Sequence, residues 1–157
     1  MLIAQGGDPV AHATVTQPAN GAAAAHVGVF VPGYLCELTT GLTASLESLK
    51  SATLTGKRLP VTCVYQPDPE IDQTVSMPDV TGTVSVELAW QGVGEVARIP
   101  LNGNLDHCVG RFLERSAELS GKLTISVPGL GIEETLTAAD GQDTRLAYDH
   151  NTCPPRR

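Results

Sequence analysis

"TVSVELAW", residues 83–90, alternates apolar and polar side chains. Val84, Val86, Leu88 and Trp90 fall on one face, and Thr83, Ser85 and Glu87 on the other. A period of two marks a strand with one face buried and one in water. The "QGVG" that follows reads as a turn into "EVARIPL", where Val96 is out of phase with Ala97, Ile99 and Leu101. A phase break of this kind suits a bulge. Residues 82–101 are therefore predicted to form a hairpin.

Working outward, the same alternation recurs. "KLTISV" (122–127) places Leu123, Ile125 and Val127 on one face, and "LGIEETLTA" (130–138) repeats the pattern with Leu130, Ile132, Leu136 and Ala138. Pro128-Gly129 supplies the turn between them. "HVGVFV" (26–31), closed by Pro32-Gly33, and "LPVTCVYQ" (59–66) read as two further strands.

Two stretches carry helical spacing instead. Leu105, Cys108, Val109, Phe112 and Leu113 form one apolar stripe after Asn104, which suits an N-cap, and Gly121 lies just past the predicted end. Arg111 with Glu114, and Arg115 with Glu118, would then pair on the wet face. Leu35, Leu38, Leu42, Leu46 and Leu49 suggest a second helix. The Thr and Ser residues of "TTGLTASLESLKSATLTG" (39–56) compete for its backbone hydrogen bonds, so a pair of strands is the alternative there.

The expected fold is thus mainly β, sandwich-like or α+β, with one or two short helices. The domain spans residues 27–139, with an extended N-terminal arm (1–26) and an extended C-terminal tail (140–157) whose Pro154-Pro155 resists regular pairing.

At 157 residues the chain has room for one domain with its own core. Its formal net charge of −7 and the lack of a clustered basic stripe argue against a nucleic-acid partner. The adjacent cations Lys57-Arg58 and Arg156-Arg157 read as solvated surface. No apolar run reaches the ~18 residues of a membrane helix, so no membrane partner is expected. The opening residues lack a basic n-region and a Leu-rich h-region, and the chain reads as unexported. Cys36, Cys63, Cys108 and Cys153 are widely spaced with no CxxC, which favours free buried thiols over two disulfides.

Motifs of catalysis are missing: no GxSxG, HExxH, GxxxxGK[ST] or GxGxxG occurs. His107-Cys108 are neighbours, but adjacent helical residues diverge by about 100° and cannot act as base and nucleophile. His150 and Cys153 have a spacing able to hold a zinc ion, without a second close pair. Asp68, Glu70 and Asp72 have the opening rhythm of a calcium loop but not its glycine or closing Glu. Glu133 and Glu134 on a strand would point to opposite faces. The expectation is no enzyme, no cofactor and no metal.

The arm is the remaining clue. Asp8 is the only formal charge in residues 1–35, and Leu2, Ile3, Val10 and Val15 are the sizeable apolar anchors of the arm. Ordering such a segment costs about 1–2 kcal/mol per residue, which its own small side chains do not offset. Contact with other chains would. These features lead to the expectation of a non-enzymatic structural protein of a viral, tailed-bacteriophage-like particle. In that setting it would be a capsid decoration or cement protein assembled in the host cytoplasm. Its expected partners are copies of itself, as in a trimer, and a major capsid or other shell protein. A tail tube, tail terminator or head–tail joining protein, and a secreted β-sandwich adhesion module, are the alternatives.

Overall fold

The computed structural model describes residues 2–3, 9–17, 21–67, 76–100, 109–138 and 145–152. Strands dominate them: β1 (Leu2–Ile3), β2 (Val10–Thr16), β3 (Ala24–Val31), β4 (Tyr34–Leu38), β5 (Thr43–Glu47), β6 (Ser51–Tyr65), β7 (Val80–Gly92), β8 (Ala97–Pro100), β9 (Val109–Val127), β10 (Ile132–Thr137) and β11 (Arg145–Thr152). All pair antiparallel in one sheet ordered β1-β2-β3-β4-β6-β7-β9-β10, with β5 on β6 and both β8 and β11 on β9. The fold is mainly β. Its helical content among the described residues is one 3₁₀ turn, Pro128–Leu130, closed by Gly131 at φ 67°.

The sheet curls around one core. β1 and β10, its two ends, approach each other, and β5 lies against β2 and β3. Alternate residues point inward: Val84, Val86, Leu88 and Trp90 of β7 meet Leu123, Ile125 and Val127 of β9, joined by Leu54 and Leu136. Each such Val, Leu or Ile side chain contributes about 1.5–3 kcal/mol through burial.

β6 shows how a long strand keeps its phase. Ala52 and Leu54 are buried before the interruption, and Val61 and Cys63 after it, so the inward positions switch from even to odd numbers. The switch is a bulge between Gly56 and Leu59 in the pairing with β7. Arg58 takes φ 48° there, and its backbone N–H donates to Ser85 Oγ at 2.9 Å. One extra residue restores the buried face.

Both expected helices are strands. Residues 35–49 form most of β4, a turn at Gly41 (φ 75°) and β5. Tyr34, Cys36 and Leu38 are the buried set of β4, so the leucine spacing arose from two strands separated by a turn. Val109–Val127 form β9, flanked by β8 and β11 at its start and by β7 and β10 further on. Pairing on both sides overrides the local helical spacing. Residues 101–108, including the proposed cap Asn104, lie outside the described residues. Arg115, expected to pair with Glu118, instead donates from Nε to the Gly94 carbonyl at 3.0 Å, and Arg145 Nη1 lies 3.4 Å from Glu114 Oε2.

The hairpin over 82–101 does not form either. β7 and β8 do not pair with each other; they follow one another along β9, with residues 93–96 as the break. The arm and tail are likewise taken into the sheet. β2 pairs with β3 along its whole length, and β11 pairs with β9 from Arg145 to Thr152.

Cys36 and Cys63 form a disulfide rather than free thiols. They are direct register partners on β4 and β6, with Cα atoms 4.0 Å apart. Their sequence separation of 27 hides this juxtaposition. Cys108 and Cys153 lie outside the described residues.

Candidate interaction surface

The outward face of β2, β3, β4 and β6 gathers side chains that the sequence pattern did not single out as a group. On β3, Val27, Val29 and Val31 are buried, so His26, Gly28 and Phe30 take the opposite face. Register then aligns Val10, Phe30, Leu35 and Val64 in one row across four strands. Phe30 is 46% and Val64 47% exposed, while Val10 and Leu35 are half-buried. Contiguous apolar exposure of this kind is unusual on a sheet face that stays in water.

Beside that row runs a polar one, His12, Gly28, Glu37 and Thr62. The His12 ring rests on Gly28, where an added Cβ would overlap it. Ring centroids of His12 lie 5.1 Å from His26 and 6.0 Å from Phe30. His26 Nε2 is 3.2 Å from Glu37 Oε1. Burial holds the His12 imidazole below its usual pKa, the nearby His26 pushes it the same way, and Glu37 opposes them.

The four anchor residues separate. Ile3 is the register partner of Val10, at the end of the apolar row, whereas Leu2 pairs with Ala11, which is buried. Val15 packs against the chain's own core. Val10 and Val15 thus lie on opposite faces of one sheet.

A second feature is the three-stranded extension made by β8, the first half of β9 and β11. Leu113 pairs with both Arg98 and Tyr148, which puts β8 and β11 on opposite sides of β9. Among the described residues neither β8 nor β11 has another strand partner, so both are edge strands of the described sheet. At the far side of the sheet Glu134 sits opposite Ile125, in the inward phase of β10, yet it is exposed. A charge in that phase at a sheet end disfavours adventitious strand addition.

Of the constellations considered for chemistry, Asp68, Glu70, Asp72, His107, Cys108 and Cys153 lie outside the described residues. Glu133 and Glu134 are adjacent on β10, opposite Ser126 and Ile125, and so do not converge. Among the described residues no group of three or more His, Cys, Asp or Glu is placed to hold a metal ion. No helix among them is long and apolar enough to cross a membrane. No protein-family model, curated protein or solved structure matches this chain.

Proposed function

We propose that the protein is a non-enzymatic structural subunit of a viral, tailed-bacteriophage-like particle, acting as a capsid decoration or cement protein. The observation that carries this reading is the apolar row Val10–Phe30–Leu35–Val64, exposed at Phe30 and Val64, on a sheet whose other face is already occupied by the core. A subunit that spends its life packed against neighbours gains from such a row. A free monomer is exposed to aggregation by it. The partners are copies of this chain, arranged as a trimer, and a shell protein beneath them. Main-chain pairing at the edge strands of the β8–β9–β11 extension adds contacts of low side-chain specificity, repeated in every copy.

The test is sedimentation equilibrium and native mass measurement of the wild type and of Phe30→Asp, with a thermal melt to show that the variant folds. The wild type is expected to be oligomeric and the variant monomeric at equal concentration. A wild type that stays monomeric at high micromolar concentration and fails to sediment with shells overturns the reading. A ring of higher order transfers the protein to a tail tube, tail terminator or head–tail joining role.

The Cys36–Cys63 disulfide favours a second reading, a secreted β-sandwich adhesion module, because such bonds persist in oxidising compartments. Thiol counting on protein isolated from its natural source under non-reducing conditions separates the two. Free Cys36 and Cys63 exclude the secreted module.

A further inference from the structure

We propose that His12 is an acid-sensitive latch that keeps β2 zipped to β3, and that its protonation beside His26 loosens β2. The argument begins with fit. His12 lies directly opposite Gly28 in the β2–β3 register, and its ring occupies the space a Cβ at that position would take. The ring is bracketed by His26 on one side and Phe30 on the other. A neutral imidazole suits that place: it is flat, it packs on glycine and an aromatic edge, and it carries no charge to desolvate.

Acid changes the balance. Four elements set the charges facing His12. β3 brings His26, β4 brings Glu37, β2 itself adds no other titratable side chain over Val10–Thr16, and β1 over Leu2–Ile3 has none. The chain's amino-terminal charge acts in the same direction as His26, more weakly than either histidine or carboxylate neighbour. Among the described residues the carboxylate facing the pair is Glu37, already engaged by His26 at 3.2 Å. Once both imidazoles are protonated, that carboxylate faces two cations whose rings are 5.1 Å apart. His12 relieves this by leaving its seat over Gly28 of β3, and β2 is the strand that carries His12.

Burial and His26 both hold the His12 pKa below its ordinary value. Such a group binds fewer protons in the folded than in the unfolded state as pH falls below about 6.5, so its packing is lost on acidification and regained on neutralisation. β2 is poised to respond because it lies near the end of the sheet and contributes Ala11 as its fully buried side chain. When it opens, the pairing edge of β3 becomes available.

Amide hydrogen exchange on the full chain at pH 7.5 and pH 5.0 tests this, expressed as protection factors that remove the intrinsic pH dependence of exchange. Protection over residues 10–16 is expected to fall at least about fourfold at the lower pH relative to β7 and β9, the size set by two like charges ~5 Å apart in bulk water. His12→Phe keeps a flat ring without a proton site and should abolish the selective fall. His26→Gln, which removes the opposing charge and leaves His12, should reduce it. An equal change across β2, β7 and β9 overturns the latch, as does a selective fall that survives in both variants.

Discussion

Gly121→Ala is the sharpest test of the register between β7 and β9. Gly121 lies opposite Leu88 in that pairing and takes φ 107°. A Cβ there would overlap the Glu87 carbonyl oxygen, lie 2.9 Å from its carbon and 3.1 Å from Leu88 Cα, against 3.4–4 Å for ordinary contact. The obstruction is backbone, so no rotamer change relieves it. The strands must part by roughly 1 Å, which turns ladder bonds of about 2.9 Å into separations too long to count as hydrogen bonds. Two such bonds at about 1 kcal/mol each, with about 1–2 kcal/mol for an L-residue at positive φ, give a loss of about 3–4 kcal/mol. For a chain of this size that lowers Tm by roughly 7–14 °C. Gly94→Ala is the control: φ is 71° and nothing lies within 4 Å of its Cβ, so only the conformational cost remains, about 1–2 kcal/mol. Differential scanning calorimetry on both variants provides the comparison. A Gly121→Ala protein that melts together with Gly94→Ala would show that β7 and β9 are not joined in this register.

Replacing Cys36 and Cys63 together by Ala removes a cross-link with a sequence separation of 27, and by the chain-entropy relation costs about 3–4 kcal/mol; urea unfolding of the variant and of reduced wild type should agree, and no change in midpoint would count against the bond. Because burial and His26 depress the His12 pKa, its contribution to stability is complete above about pH 6.5 and declines as pH falls below that value; melting curves between pH 7.5 and 5 should show a component that is missing in His12→Phe.

The strands with clean alternation were legible from sequence. Val84 to Trp90, Leu123 to Val127 and Val27 to Val31 bury the residues that their period indicates. The helix expected around Leu105–Leu113 failed for an instructive reason. From Leu113 every second residue through Val127 is apolar or glycine except Arg115, which is a strand pattern of unusual length. Arg115 breaks the run because its guanidinium serves the backbone, donating to Gly94 and to the Leu49 carbonyl at 3.4 Å. A charged residue in an apolar phase conceals a strand whenever its partners are carbonyls remote in sequence. The disulfide and the outward row were illegible for a related reason. Both depend on register between strands, and register is fixed by bulges and turns that local periodicity does not count. Phe30 was the available signal for the row: in "HVGVFV" it is the large apolar residue out of phase with the valines.

One part of β9 has a mechanical consequence. Over residues 109–116 the strand is flanked by β11, and over 122–127 by β10, whereas Ala117–Gly121 have only β7 as a strand partner among the described residues. At those rows the sheet runs β9–β7–β6–β5, so the step lies on one side of β9, between the end of β11 and the start of β10. β9 is the strand that runs unbroken from the extension into the rest of the sheet, so a load on the extension enters the sheet through Ala117–Gly121 and their ladder to β7.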